Sequence, residues 1–395
     1  NWSDDTVPGA TDTSCVPNGA GLVTHVAGTS EVGAVRVLGP DNATGLRVEG
    51  GTLTVHEASE IAGFLELAGG TLSVGDELLL SLADGTDAFF WNGGTLTGAG
   101  SVRLVPGSLS TVVGTAPKTL GAHLVNNGTL TWTDGDIVFA DAGHLDNHAT
   151  INVTGGDFTN KSGTSPDTKI TNRAGATIVK NDPDATIIGD TGIDVVNDGT
   201  IQTNLGGIGL RGTGTGTGDF TAAGDGIEFL NGDWELTGTL SGLNAISVLG
   251  ADVHLTDTAL LSVTELGLFG GNLRLDTVDP DFDHATTNLI LNGGTLSGTD
   301  HLEILTILDW TEGTIAGTAI VNDAATATLG DTTPKTLTGT LTNNGTLTWT
   351  DGDIDLGATG QLTNAGTLTV AGPDITTLNA DTGAPPFVNR GTVSV

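Results

Sequence analysis

The sequence contains no Met and no Tyr, a single Cys, and only 12 Lys and Arg against 47 Asp and Glu. One Cys excludes an internal disulfide, so Cys15 staples nothing and says little about redox compartment. Twelve scattered cations in a chain of net charge −35 exclude nucleic acid as a partner, because a phosphate backbone is gripped by clustered Lys and Arg. No apolar run approaches the roughly 18 residues a membrane helix needs, so no transmembrane segment is expected. Helix formers are scarce, only 15% of residues are charged and 4% are aromatic, which is not the composition of a folded α/β enzyme. With Asn at position 1 and no Met anywhere, the chain reads as processed or cut from something longer.

What is present is Gly, 62 of 395 residues, accompanied by Thr, Val and Ile, a strand-and-turn composition. A short phrase recurs. Gly50-Gly51-Thr52-Leu53, Gly69-Gly70-Thr71-Leu72, Gly93-Gly94-Thr95-Leu96 and Gly293-Gly294-Thr295-Leu296 are one form. An Asn-led form begins at Asn126, Asn197, Asn343, Asn364 and Asn389, with looser copies at Asn147 and Asn172. Each is a turn followed by a short alternating strand, since Asn and Gly tolerate the left-handed backbone region and Leu-Thr-Val or Leu-Thr-Trp then points alternate side chains in and out. Such a strand cannot bury its apolar side alone; stacked on copies of itself, it can.

The Asn residues 126, 147, 172 and 197 are spaced by 21, 25 and 25. This spacing predicts an all-β fold, a parallel β-solenoid read as a right-handed β-helix with about 20–25 residues per rung. At roughly 22 residues per rung and about 4.8 Å between strands, about 18 rungs would form a rod on the order of 85 Å long. Asn at one turn position of successive rungs, namely Asn126, Asn147, Asn172, Asn197, Asn343, Asn364 and Asn389, is expected to form side-chain amide ladders.

A longer repeat lies over the rungs. Residues 117 to 159 align without gaps to 334 to 376, and Thr129-Leu130-Thr131-Trp132-Thr133-Asp134-Gly135-Asp136-Ile137 recurs residue for residue from Thr346 to Ile354. The chain therefore divides into an entry segment over 1–50, rungs over 51–205, an irregular Gly-rich break with further rungs over 206–290, and the duplicated rungs over 291–395.

The opening reads Asn1-Trp2-Ser3, then Thr6-Val7-Pro8-Gly9-Ala10-Thr11-Asp12, then Val16-Pro17-Asn18-Gly19, ahead of the regular rungs. This resembles the start of many exported bacterial β-helix proteins. The Asn-Gly-Thr-Leu-Thr and Gly-Gly-Thr-Leu-Thr rungs likewise resemble the passenger regions of autotransporters and filamentous adhesin-like surface proteins. The resemblance implies a β-helix, export, and an extracellular or cell-surface life, with no catalytic residue carried over. A surplus of Asp keeps a long exposed surface hydrated in salty or calcium-containing surroundings.

Candidate chemistry is thin. Gly207-Ile208-Gly209-Leu210-Arg211-Gly212 fits a dinucleotide-binding pattern, but that pattern needs a helix to start at its third Gly, and Thr213-Gly214-Thr215-Gly216-Thr217-Gly218 follows. The segment is expected to be a flexible loop or a break between rung stacks. Asp134 with Asp136, and Asp351 with Asp353, flank a Gly in both copies of the duplication and read as turn capping rather than the paired carboxylates of a glycosidase. Pectin lyases and polygalacturonases share the β-helix. Those hydrolases carry Asn-Thr-Asp, Asp-Asp, Gly-His-Gly and Arg-Ile-Lys segments in order, whereas here Asp4-Asp5 is the only adjacent Asp pair. Asp279, Asp281 and Asp283 supply oxygen ligands dense enough for Ca²⁺, though a solvated loop has the same composition; no other cofactor is expected. The eight His residues read as dispersed, without metal-ligand pairing. Trp91, Trp132, Trp310 and Trp349 recur in register with the duplication and are expected to pack rather than to stack on sugars.

The function that follows is a non-enzymatic extracellular structural or adhesive rod that extends, adheres or polymerises head to tail, with itself, other surface proteins or glycans as partners. The alternative is a β-helix that cleaves or binds polysaccharide, with its site over about 206–290.

Overall fold

The structure is a computed structural model that describes residues 8–39, 43–82, 85–155, 159–278, 284–372 and 386–395, and the backbone of 378–380. Among these there is no helix, and the strands build a parallel β-solenoid of about 17 turns. The chain divides into two compact units, Asn1–Gly206 and Gly207–Val395.

In the first unit each turn contributes to three parallel ladders. One runs through Thr13–Val16, Ala34–Val37, Ser59–Ile61 and Glu77–Leu80, and ends through His144–Asn147, Lys169–Asn172 and Asp194–Asn197. A second runs from Leu22–His25 through Thr129–Trp132 to Thr200–Leu205. The third runs from Thr29–Val32 through Thr71–Val74 to Thr159–Lys161. Long strands turn a corner and serve two ladders: Gly94–Leu104 gives residues 95–97 to one and 101–104 to the next, with a register shift between Thr97 and Ser101. The second unit repeats the three-ladder plan, for example with Asn272–Thr277 on Thr295–Gly298 on Gly313–Ile315.

Register partners lie from 17 residues apart (His301 and Thr318) to 27 (Thr150 and Thr177), so loops of varied length are absorbed at the corners while the strands stay in step. Inside, the alternation reads directly as burial: Thr-Leu-Ser-Val at Thr71–Val74 and Thr-Leu-Thr-Trp at Thr129–Trp132 both bury their second and fourth residues. Leu, Ile and Val from successive turns fill the interior, among them Leu67, Leu72, Leu120, Ile201, Leu255 and Leu308.

The Gly-rich segment is not a loop. Gly207–Leu210, Thr213–Gly216 and Asp219–Ala222 are strands, and the boundary between the two units falls just ahead of them. The reason lies in the next turn. Gly214 is the register partner of Trp234, and a Cβ on Gly214 would sit 1.9 Å from the indole ring. Trp234 is buried edge-on to Phe220 and Phe229, with ring centroids 6.4 and 5.2 Å away, so the volume missing at the glycines is supplied by aromatic rings from neighbouring strands.

Candidate functional site

Three constellations stand out, two inside the turns and one on the outer face. The first is the Asn corner. The side chain of Asn126 donates to Asn147 Oδ1, Asn147 to Asn172 and Asn172 to Asn197, each at 2.8 Å. In the second unit Asn343 donates to Asn364, and Asn364 to Asn389, again at 2.8 Å. All of these residues except Asn389 are buried. The amides also bond backbone: Asn126 Oδ1 accepts from the N–H of Gly128 at its own corner at 3.1 Å, and its Nδ2 donates to the carbonyl of Thr150 on the next turn at 2.9 Å, as Asn343 Nδ2 does to Thr367 O at 3.1 Å. Asn fits because it has both a donor and an acceptor on a short stem, so one residue can cap a turn and link the rungs on either side.

The second is a pair of buried lysines. Lys118 and Lys335, equivalent in the duplication, are fully buried and spend their ammonium groups on backbone carbonyls. Lys118 Nζ donates to Gly114 O and, at 2.7 Å, to Asp134 O; Lys335 Nζ donates to the carbonyls of Thr333 at 3.1 Å and Asp331 at 3.2 Å. Burial lowers the Lys335 pKa, opposed by the charges of Asp331 and Asp351. The lysine closes a turn that the neighbouring Trp also closes: Trp132 Nε1 donates to Gly135 O at 2.9 Å and Trp349 Nε1 to Gly352 O at 2.7 Å. Gly135 and Gly352 sit at φ of 80° and 69°, and a Cβ on Gly135 would collide with the Lys118 ammonium, so this turn requires glycine twice over. Asp136 Oδ2 accepts from Asn160 on the next turn at 3.2 Å, whereas Asp351 Oδ1 accepts from the N–H of Gly352 within its own turn at 2.8 Å.

The third constellation is the one sequence reasoning missed. His123, His144 and Asp146 bring ligand atoms within 4.8 Å of one another. His123 and His144 are register partners on adjacent turns and their rings stack at 4.5 Å. The Asp146 side chain is only 6% exposed, and Arg173 from the next turn grips it with two bonds, Nε to Oδ1 at 2.7 Å and Nη2 to Oδ2 at 3.0 Å. His148 Nε2 lies 3.3 Å and His123 Nε2 3.6 Å from Asp146 Oδ2. His144 Nε2 pairs with Thr171 Oγ1 at 2.8 Å.

The charges follow from this arrangement. Burial, reinforced by the His123 ring, lowers His144 to about 4, and burial also lowers His123 against the pull of Asp146. Burial alone would raise Asp146, but the bonds from Arg173 and the proximity of His148 outweigh it and hold the carboxyl below its ordinary value. The signal was available in the sequence: His123 and His144 are 21 apart, the same interval as Asn126 and Asn147, so both stand three residues before an Asn corner. Residues at one rung position are neighbours in space however far apart they lie in the chain.

On the second unit an open groove of about 420 Å³ is lined by Asp233, Glu235, Asp252, His254, Asn272 and Arg274 among others. His254 and Arg274 both pair with Asp276, at 3.1 Å in the case of the His. Trp234 borders this groove but is only 1% exposed, and Trp91, Trp132, Trp310 and Trp349 are buried as well, at 5% exposure or less. Gly207–Leu210 being a strand, no helix N-terminus meets a pyrophosphate there. Asp279, Asp281 and Asp283 lie outside the described residues. Comparison with protein-family models, curated proteins and solved structures finds no match.

Proposed function

We propose that the chain is a non-enzymatic structural and adhesive segment of an exported, cell-surface protein of the autotransporter-passenger or filamentous-adhesin kind, which extends, adheres or polymerises by stacking turn on turn. The observation that carries this reading is what the duplication keeps. Between the two copies the interior devices are retained: the Asn corners, Lys118 and Lys335, and the Trp132 and Trp349 turns. Outer residues change at one cluster, while others such as Thr131 and Asp134 are kept as Thr348 and Asp351. His123, His144, Asp146 and His148 are answered 217 positions later by Thr340, Gln361, Thr363 and Ala365. Copying that preserves the scaffold and does not carry over this outer cluster adds length, which is what a spacer or adhesive stalk needs and a catalytic centre does not. A parallel solenoid also grows readily by stacking, since a terminal turn presents unpaired strand edges and a heterologous contact that does not close propagates. Electron microscopy and sedimentation over a range of concentrations test this: concentration-dependent head-to-tail assembly, or saturable adhesion to surface proteins or glycans, is expected. A protein that stays monomeric and binds no such partner refutes it.

One observation favours a second reading, a polysaccharide-binding or polysaccharide-cleaving surface: the groove on the second unit, where Asp233, Glu235 and Asp252 stand beside His254 and Arg274. Two carboxyls of unequal pKa are the requirement for glycoside hydrolysis. A screen for reducing ends released from neutral and acidic glycans decides it, with Glu235→Gln as the control; product released by the wild type and not by the variant would favour the enzyme.

A further inference from the structure

We propose that His123, His144 and Asp146 form a binding site for a divalent first-row transition ion of the zinc and copper class, with His148 at hand as a further ligand and Arg173 as the positioning residue for the carboxylate. Three features of the cluster point to an ion rather than to a salt bridge alone. First, the donor set is imidazole plus carboxylate, which suits Zn²⁺, Cu²⁺ and Ni²⁺ and not the all-oxygen shell of Ca²⁺. Second, His123 Nε2 is buried and makes no hydrogen bond, yet it faces Asp146 Oδ2 at 3.6 Å. Two ligands held at about 2.0–2.1 Å on a tetrahedral ion are roughly 3.3 Å apart, so this orphaned nitrogen and the carboxylate oxygen, which Arg173 Nη2 also holds at 3.0 Å, stand nearly at ligand spacing already. Third, the site has an outer shell. Arg173 Nε holds Asp146 Oδ1 at 2.7 Å, so the carboxylate stays anchored when an ion displaces Arg173 Nη2 from Oδ2, and Thr171 Oγ1 fixes the His144 ring. The imidazoles of His123 and His148 are 38% and 41% exposed, so an ion has a path in.

The fold does not need these residues. The sister rungs keep Arg390 and Asn389, in place of Arg173 and Asn172, but carry Thr340, Gln361, Thr363 and Ala365 at the four ligand positions, on strands of the same kind. A buried carboxylate ringed by three imidazoles in one copy and absent from the other is an addition to the scaffold.

The same comparison supplies the test. The full chain is titrated with Zn²⁺ alone by calorimetry in a buffer that does not bind metal, and Cu²⁺ spectra are recorded by electron paramagnetic resonance. The variant His123→Thr/His144→Gln/Asp146→Thr/His148→Ala carries the residues its own sister rungs tolerate, and circular dichroism checks that its strands persist. The expectation is one saturable site on the wild type, nitrogen hyperfine structure in the Cu²⁺ spectrum, and loss of both in the variant. Asp146→Asn alone, which keeps the size of the side chain, should weaken binding by about tenfold or more. Absence of saturable binding, a copper spectrum without nitrogen coupling, or affinity undiminished in both variants would overturn the proposal.

Discussion

Replacing Asn147 by Ala removes the middle of a three-bond amide ladder, and its cost follows from the partners left behind. The wild-type side chain donates to Asn172 Oδ1 at 2.8 Å and to Thr177 O at 3.2 Å, and accepts from Asn126 Nδ2 at 2.8 Å, all in a site closed to water. Each such bond contributes about 1 kcal/mol net, and a buried partner left unsatisfied costs about 1–3 kcal/mol. Asn126 keeps its bond to Thr150 O at 2.9 Å, so its amide is only partly stranded, whereas Asn172 Oδ1 loses its ladder donor. The loss is therefore about 3 kcal/mol or somewhat more. Asn389 is the control: it is exposed, accepts one ladder bond from Asn364 and donates to its own corner at Gly391, so water can replace what Ala removes, at a cost below about 1 kcal/mol. Because turns of a solenoid open locally, a global melting curve blurs this contrast; amide hydrogen exchange read by mass spectrometry on peptides spanning each corner resolves it. A difference of about 2 kcal/mol is roughly thirtyfold in the local opening constant. Equal losses of protection around positions 147 and 389, or a change below about threefold at 147, would refute the view that the ladder stabilises the stack.

Lys335→Met keeps the stem but strands the carbonyls of Thr333 and Asp331, so thermal denaturation should show a loss of about 2–4 kcal/mol despite the gain in apolarity; an unchanged or raised transition would count against the carbonyl cage. Gly214→Leu drives a side chain into the Trp234 ring and should cost about 1–3 kcal/mol while red-shifting tryptophan emission. Unperturbed, the same emission should be blue-shifted and unmoved by oligosaccharides, since the described tryptophans of the duplicated turns are interior. His284 provides a pH dependence. Burial lowers its pKa below 6.5, with Asp300 opposing, while its Nδ1 accepts from Leu261 N–H and its Nε2 faces the Asp300 carboxylate at 3.4 Å. The unfolded chain binds the proton more readily, so this contribution to stability is complete above about pH 6.5 and is lost as pH falls below it, by about 1.4 kcal/mol per unit of depression. Exchange protection of residues 260–304 should drop between pH 7 and pH 5 in the wild type and less steeply in His284→Gln; equal slopes would exclude His284 as the cause.

The fold was legible because its signal is periodic. Thr-Leu-Thr-Val phrases at rung intervals leave no solution but stacking, and the intervals of 21, 25 and 25 between corner Asn residues are the intervals of the ladder itself. The Gly-rich stretch from 207, which by sequence reads as a flexible loop or a break between rung stacks, stands at the boundary of the two units but folds as strands, because the role of its glycines is set by Trp234, twenty positions on from Gly214. The His123, His144 and Asp146 cluster escaped for a related reason. Metal-site spacings learned from helices and hairpins are counted along the chain, while in a solenoid the relevant distance is one rung, and 123 and 144 are adjacent in that measure.

That difference in measure has a consequence for how such a chain acquires chemistry. A side chain pointing outward on one turn has neighbours about 4.8 Å away on the turns either side, so any single substitution to His, Asp or Arg is at once within reach of two others at the same rung position. Interior positions are held by their contacts: an Asn corner that loses one amide strands its neighbours, and Lys118 cannot shrink without leaving Asp134 O bare. Outer positions carry no such debt, as Thr340 and Gln361 in place of His123 and His144 attest. Sites on this scaffold should therefore arise as vertical rows across successive turns. The Glu235, His254 and Arg274 row in one unit has that form, and in the other His123 stands on His144, with Asp146 and Arg173 reached diagonally from the following turns.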